Sequence, residues 1–308
     1  MFTRSLLLAV TLVCGPPCLP AEAAAPRPEV VTLRLPGADG TVTPVSGLLS
    51  PPAESTAASA PWPVVVMLHD GLGMDARLSL LAERFQVEGW ATLELDLVPA
   101  SEDGVAPPGP DPLGPYADGR ALAGSLAEVL SLLVTDHRID PEQVAALGFG
   151  LGGRAALLAG SEEVASLSLG AYGVRFAAHA ALYPGCDALL AEDFAEPVPW
   201  SAAPVAILNA AEDGRDPAGA CATLRQALVH AGRAPALWQD YAGTTYGWDL
   251  GATSGEASLR LPRADGPPLA VRSDPWIASD ATARVVHFLG TALRRAPGLP
   301  AGSQEALR

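Results

Sequence analysis

A glycine-rich segment between a predicted strand and a predicted helix is the first candidate for chemistry. Residues 148–152 read Gly-Phe-Gly-Leu-Gly, after the apolar run 143–149 and before an Ala- and Leu-rich helix predicted to begin at Arg154. A G-x-S-x-G turn in this setting lifts a nucleophile above a sheet. Here the central residue is Gly150, which has no side chain. The segment therefore predicts the backbone of a nucleophilic turn without its nucleophile.

The same glycines allow a second interpretation. Gly148, Gly150 and Gly153 spell G-x-G-x-x-G, with which a strand–turn–helix unit holds the pyrophosphate of a dinucleotide. That turn normally follows the first strand of its fold, whereas several predicted strands precede this one. No acidic residue follows at the usual distance of about 20 residues, where the chain reads Leu-Ser-Leu-Gly at 167–170. These features count against a dinucleotide or phosphate site.

The elements that must position this turn alternate along the chain. Short apolar runs predict strands, and longer segments with apolar residues every three or four positions predict helices. Their alternation predicts an α/β fold, a mostly parallel sheet covered by helices on both faces, and no second domain. The predicted strands are 30–35, 41–49, 64–68, 90–97, 143–149, 176–183, 205–209 and 236–241; the predicted helices are 77–89, 120–135, a segment from 154, 218–231 and 280–293.

Composition limits the possible partners. Of 308 residues, 49% are hydrophobic and 17% charged, which is enough apolar material for a core. The net charge is −15, and all 19 basic residues are arginine. Such an acidic chain repels phosphate backbones, so we expect no nucleic-acid partner. We also expect no metal or other cofactor.

The N-terminal 25 residues have the pattern of a secretory signal. A single positive charge at Arg4 precedes the apolar run 5–14, and Ala-Glu-Ala at 21–23 offers a cleavage site. We therefore predict a secreted or periplasmic protein whose mature chain begins at Ala24, with no membrane span left after cleavage. A retained anchor or a misassigned start is the alternative. The remaining divisions are N-terminal strands and a linker at 26–60, the α/β domain at 61–295 and a tail at 296–308.

Two cysteines remain after the predicted cleavage, Cys186 and Cys221. In an oxidising compartment a pair of cysteines favours one disulfide. Their separation of 35 residues, without a histidine pattern nearby, does not indicate a zinc site. The alternative is a pair of small buried apolar residues.

Six segments between residues 60 and 290 resemble the dienelactone hydrolase family of α/β-hydrolases. They occur in the family's order and at similar spacings: 64–77, 146–157, 176–186, 213–221, 240–249 and 274–289. The resemblance implies a sheet of about eight strands. It also implies a Cys or Ser nucleophile at the glycine turn, an Asp after a late strand and a His before the last helix, which would hydrolyse a small ester or lactone through an acyl-enzyme.

Transferred residue by residue, the family pattern is broken at two positions. The nucleophile falls on Gly150 and the histidine on Tyr246, whereas the acid falls on Asp213, as in the family. Acyl transfer needs an attacking oxygen or sulfur and a base that titrates near neutrality. Glycine has no such atom, and tyrosine is a neutral donor at pH 7 because its ordinary pKa is about 10.

The resemblance also implies two oxyanion donors that need only a backbone. One is the N–H of Leu151; the other comes from the loop 69–73, with Leu72 as the expected donor. His69 borders this loop and is the one histidine considered as a replacement base. We expect His179, within a strand, to be a packed residue, and no nucleophilic role for Ser125 or Cys186.

Three functions follow from these residues. The first is an exported member of the family that has lost its triad and works by binding a small ester, lactone or other apolar ligand. The second is a hydrolase in which Asp213 activates a water in the space left at Gly150. The third is a dinucleotide or phosphate binder that uses the glycine turn.

Overall fold

Eight strands form one sheet in the order β1-β2-β4-β3-β5-β6-β7-β8. The computed structural model describes residues 27–36, 42–56, 58–96, 119–164, 173–192, 194–195, 199–251, 258–261 and 267–293. The strands are β1 (Glu29–Pro36), β2 (Val42–Ser50), β3 (Trp62–Leu68), β4 (Ala91–Asp96), β5 (Ile139–Phe149), β6 (Ala178–Leu182), β7 (Val205–Ala210) and β8 (Leu237–Tyr241). Strands β3 to β8 are parallel, and β1 and β2 extend the sheet antiparallel.

Continuous apolar runs place the central strands between two helical layers. All seven residues of β3 are buried, as are the last seven of β5, because both faces of a parallel sheet are covered. The helices are α1 (Ala76–Val87), α2 (Gly119–Leu133), α3 (Gly150–Leu158), α4 (Cys186–Ala191), α5 (Ala220–His230) and α6 (Pro275–Ala292). Helices α1 and α6 pack on one face, and α2, α3 and α5 pack on the other. The predicted α/β-hydrolase architecture is confirmed.

Several predicted boundaries were wrong. The helix expected from Arg154 begins at Gly150, because its glycines lie against neighbouring backbone. The last helix begins at Pro275, after Asp274 caps its first N–H groups, and not at residue 280. The short helix α4 and a two-stranded hairpin, β9 (Ser258–Leu261) with β10 (Leu269–Arg272), were not predicted.

The predicted disulfide between Cys186 and Cys221 is confirmed. It joins the first residue of α4 to the first turn of α5, with the two Cα atoms 5.0 Å apart. The bond holds α4 beside the end of β7, which carries part of the candidate site.

Among the described residues, none of the helices has the length and apolar character needed to cross a bilayer. The predicted signal at 1–25, the tail at 296–308 and the loop 97–118 lie outside the described residues.

Candidate active site

The junction of β5 and α3 has the backbone of a nucleophile-bearing turn. Strand β5 ends at Phe149, and Gly150 begins α3 with a φ of +50°. Any residue with a side chain is strained in this conformation. A Cβ atom built on Gly150 would lie 2.8 Å from the Tyr246 hydroxyl oxygen and 2.9 Å from Asp70 Cβ. Tyrosine and aspartate therefore fill the space that a nucleophile's side chain would occupy.

The neighbouring glycines are explained by close backbone packing. A Cβ on Gly148 would lie 2.2 Å from the carbonyl carbon of Gly152, so strand and helix touch through these residues. A Cβ on Gly152 would lie 2.3 Å from the carbonyl oxygen of His69, at the end of β3. The G-x-G-x-x-G spacing thus follows from packing within the protein and needs no phosphate to explain it.

Tyr246 is held by a buried carboxylate. Its hydroxyl donates to Asp70 Oδ2 at 2.5 Å, and Arg77 Nη1 donates to the same oxygen at 3.1 Å. Burial and the Asp70 charge raise the pKa of Tyr246 well above its ordinary value. Burial by itself would raise the pKa of Asp70, but Arg77 and the hydrogen bond from Tyr246 hold it below its usual value. Asp70 is an anion and Tyr246 a neutral donor, which is the opposite of a general base.

The network continues from Arg77 through Tyr183 to Asp249. Arg77 Nη1 donates to the Tyr183 hydroxyl at 2.9 Å, and that hydroxyl donates to Asp249 Oδ1 at 2.8 Å. Burial raises the pKa of Asp249 to about 6, opposed by Arg77 and the Tyr183 hydrogen bond. Tyr183 itself has a φ of 41° and packs edge-on against the Tyr246 ring at 4.8 Å. These side chains form one connected, mostly buried unit, called here the Asp70 network: Asp70, Arg77, Tyr183, Tyr246 and Asp249.

Asp213, the one triad member that matches the family, is paired with an arginine. It is buried after β7, and its carboxylate accepts hydrogen bonds from Arg215 Nε at 2.6 Å and Arg215 Nη2 at 2.7 Å. The Arg215 guanidinium lies 3.9 Å from the centre of the Tyr246 ring. It therefore stands between Asp213 and the position where the family's histidine would be, and the carboxylate is already neutralised.

Of the two expected oxyanion donors, one is already hydrogen-bonded to a side chain and the other lies in the first turn of a helix. The Leu72 N–H, predicted as a free donor, instead donates to Asp70 Oδ1 at 2.9 Å, because that carboxylate turns toward the loop. Leu151 lies in the first turn of α3, where backbone N–H groups have no partner inside the helix.

His69 is fully buried, with Nδ1 2.5 Å from the Asp70 carbonyl oxygen, and burial lowers its pKa. Its imidazole is thus a packed group bound to the backbone.

The structure brings Gly150 and Tyr246 together as the family pattern implied, with Asp213 nearby through Arg215. Reasoning from the sequence missed five members of the site: Asp70, Arg77, Tyr183, Arg215 and Asp249. A usable signal existed for Asp70, which follows the buried strand β3 by two residues, where sites of parallel sheets lie. Arg215 binds Asp213 two residues away, but its stacking on Tyr246 and the hydrogen bond from Arg77 to Tyr183 join residues distant in sequence, which no local pattern indicates.

No group in the described site fits a metal ion. Within the described residues, the one cluster of possible ligands is Cys186, Cys221 and Asp216, and the disulfide consumes both thiols. The site therefore offers positioned donors, a buried anion–cation pair and Asp249, which titrates near pH 6, but no attacking atom at the turn.

Comparisons with known proteins agree with this architecture. The model of the dienelactone hydrolase family matches residues 52–254. No curated protein sequence matches the chain. Among solved structures, a carboxylesterase from Lactobacillus plantarum WCFS1 is similar with a TM-score of 0.56 and 15% identity, covering 86% of this chain and 97% of its own.

Two further structures have the same fold. A dienelactone hydrolase-like promiscuous phosphotriesterase from metagenomic libraries has a TM-score of 0.55 at 16% identity, covering 86% of this chain and 99% of its own. A sugar hydrolase from Lactococcus lactis has a TM-score of 0.57 at 17% identity, covering 85% and 98%. At these identities the likeness shows the fold alone.

Proposed function

Because the chain belongs to the dienelactone hydrolase family, we propose that it is an exported member that binds a small apolar molecule without hydrolysing it. One observation carries the proposal: the Tyr246 hydroxyl and Asp70 Cβ lie 2.8 and 2.9 Å from where a Cβ of residue 150 would be. A nucleophile's side chain therefore has no space there, and the alternative mechanism needs Asp213 to activate a water instead. Asp213, which would activate that water, is bound by Arg215.

A cleft beside the Asp70 network supports the binding function. It has a volume of about 380 Å³, lies between α1 and α6, and is lined mainly by apolar side chains such as Leu81, Phe149 and Ala278. Its polar residues are Arg77, Arg84, Asp249, Ser279 and Thr282. Sites for small molecules commonly combine an apolar wall with a few such polar groups. A compact ligand with one polar end fits these walls.

The non-hydrolytic part is tested by the hydrolysis of short-chain aryl esters. We expect the rate with wild-type protein to equal the rate with Asp213→Asn and with buffer alone. Wild-type turnover that Asp213→Asn abolishes would support the alternative hydrolase and end the proposal.

The binding part is tested by calorimetric titration with an aryl ester such as phenyl butyrate. Ala278→Leu fills the cleft and should weaken binding by roughly tenfold or more, equivalent to about 1.4 kcal/mol. Ala283→Leu is the matched control, because Ala283 lies on the exposed side of the same helix. Equal affinities in both variants would place any binding elsewhere.

Export rests on the N-terminal pattern and is consistent with the disulfide, since oxidising compartments are where such bonds persist. N-terminal sequencing of protein from a bacterial host should give Ala24 as the first residue. Recovery of the intact chain from the cytosol would contradict export.

A further inference from the structure

One carboxylate oxygen in the cleft between α1 and α6 is free to accept a hydrogen bond. Asp249 lines this cleft and is 9% exposed. The Tyr183 hydroxyl donates to its Oδ1 at 2.8 Å, and Arg77 Nη1 lies 3.6 Å from the same oxygen. No donor among the described residues reaches Oδ2, which is not fully enclosed, and the side chain keeps 12% of its accessible surface. A donor group of a ligand in the cleft can therefore reach this oxygen.

The nearby Arg77 is already bound to two other carboxylates. Its Nε donates to Asp75 Oδ1 at 2.9 Å, and its Nη1 donates to Asp70 Oδ2 at 3.1 Å. A single guanidinium thus faces three carboxylates, those of Asp70, Asp75 and Asp249. When all three are ionised, this group of side chains has an excess of two negative charges, which favours a cation as its next partner.

The other arginine of the cleft does not balance this excess. Arg84 Nη2 donates to Glu88 Oε1 at 3.0 Å, so the two form a neutral pair. Arg84 also follows Arg77 by seven residues, which places it about 10 Å further along α1. Burial raises the pKa of Asp249 only to about 6, so at pH 8 its carboxylate is an anion. The end of the cleft at Asp249 is therefore negative.

An accessible apolar surface lies in the same cleft. Leu80 is 53% exposed, Pro275 is exposed and Ala278 is partly exposed, and all three line the cleft. The apolar part of a ligand can contact these side chains without any change in the buried core. The cleft therefore combines an apolar wall with an anionic acceptor.

We propose that the ligand of this cleft is a primary amine with an aryl-alkyl body, whose ammonium group donates to Asp249 Oδ2. This inference rests on the proposed binding function and specifies its ligand class. An ammonium group supplies both the hydrogen-bond donor that Oδ2 lacks and the positive charge that the three carboxylates lack. Most of the Asp249 side chain is already removed from water in the free protein, so pairing costs little further desolvation of that carboxylate.

The experiment is a calorimetric titration of the wild-type protein at pH 8 with three compounds of nearly equal size. They are 3-phenylpropylamine, 3-phenylpropan-1-ol and 3-phenylpropionate, which end in a cation, a neutral hydroxyl and an anion. We expect the amine to bind roughly tenfold or more tighter than the alcohol, because hydrogen bonds between charged groups are the stronger ones. The anion should bind most weakly, since it meets the excess of negative charge.

Three variants locate the contact. Asp249→Asn should remove the advantage of the amine and leave the affinity for the alcohol unchanged. Asp187→Asn is the matched control, because it removes an exposed carboxylate that does not line the cleft. Ala278→Leu should weaken the binding of both the amine and the alcohol, since it fills the apolar part of the cleft.

The outcomes separate this inference from the proposed function. Equal wild-type affinities for amine and alcohol, both weakened by Ala278→Leu, would overturn the ammonium contact and leave the binding function standing. An advantage of the amine that survives Asp249→Asn would also overturn it. Absence of binding by all three compounds would overturn both proposals. Hydrolysis of aryl esters by wild type would end the non-hydrolytic function without changing the ratio of amine to alcohol affinity. The wild-type comparison stands even if Asp249→Asn does not fold.

Discussion

At the residue scale, the side chains around Gly150 form one closed, hydrogen-bonded unit. The Asp70 carboxylate accepts hydrogen bonds from the Tyr246 hydroxyl, Arg77 and the Leu72 N–H. A buried charge is tolerated only when its hydrogen bonds are made, and here both oxygens are bound. The Leu72 N–H, expected as an oxyanion donor, and Tyr246, at the position of the family's histidine, are therefore both bound to Asp70.

Replacing Tyr246 with phenylalanine tests this unit. Tyr246→Phe removes the donor to Asp70 and leaves one oxygen of a buried carboxylate less well bound. We expect the free energy of unfolding to fall by about 2 kcal/mol, as for other hydrogen bonds to charged groups. Urea denaturation measures the change.

Tyr241→Phe is the control for this variant. The Tyr241 hydroxyl also donates to a carboxylate, Asp280 Oδ2 at 2.7 Å, but Asp280 is partly exposed and water can replace the donor. We expect a clearly smaller loss of stability. Equal losses in the two variants would mean that the hydrogen bond from Tyr246 to Asp70 has no special role.

The sequence predicted the substitutions at this scale better than it predicted their consequences. Gly150 and Tyr246 were identified as occupying the nucleophile and histidine positions, and they do lie together. That Asp70 would bind Tyr246 could not be predicted, because 176 residues separate the two and only the fold brings them into contact. Likewise, nothing local to Asp213 indicated that Arg215 would stack on the Tyr246 ring.

At the element scale, close backbone contacts of α3 with β5 and with the end of β3 hold the glycine turn at Gly150 in place. Gly148 and Gly152 permit contact between backbones that no side chain would allow. Helix α3 therefore begins at Gly150 despite the low helix propensity of glycine, because tertiary packing outweighs that local cost.

A single methyl group where α3 contacts the end of β3 should be strongly destabilising. Gly152→Ala would place Cβ 2.3 Å from the His69 carbonyl oxygen, and backbone cannot move aside cheaply. We expect a loss of about 3 kcal/mol or more in the free energy of unfolding, typical of severe overpacking. Gly124→Ala in α2 has open space around it and should instead stabilise by about 0.5–1 kcal/mol. Similar effects from both changes would contradict the close contact.

Long apolar elements could be predicted from the sequence, and short or locally ambiguous ones could not. Strands β3 and β7 and helix α2 appeared close to their observed limits because continuous or periodic apolar residues mark them. The four-residue strands β9 and β10 carry too few residues for a period to be visible. The early start of α6 is marked in the sequence by the Asp274-Pro275 pair, which is typical of a helix N-terminus.

At the scale of the whole molecule, the disulfide makes stability depend on the redox state. Replacing both Cys186 and Cys221 with serine releases a loop of 35 residues, which should cost roughly 3–4 kcal/mol in the chain-entropy model. Denaturation with and without reductant measures it: wild type should lose stability in reductant, and the double variant should not respond. A wild-type protein indifferent to reductant would contradict a stabilising role.

The Asp70 network also predicts how stability varies with pH. Burial raises the pKa of Asp249 to about 6 in the folded protein, whereas an unfolded chain has an ordinary value near 4. The folded state therefore binds this proton more tightly, so the contribution is full below about pH 4 and is lost as the pH rises through about 6. Relative to Asp249→Asn, wild type should lose up to about 3 kcal/mol across that window. A difference that stays constant with pH would show that Asp249 does not titrate in this way.

The most direct test of whether the catalytic centre has been lost is intact-mass spectrometry after incubation with an aryl ester. Wild-type protein should keep its unmodified mass, because no oxygen or sulfur stands at residue 150 to form an acyl-enzyme. The triple variant Gly150→Ser, Tyr246→His, Arg215→Gln restores a nucleophile and a base and frees Asp213, and it serves as the positive control. We expect an acyl adduct on Ser at position 150 of that variant and none on wild type. An acyl adduct on wild type that Asp213→Asn abolishes would contradict the loss of the catalytic centre.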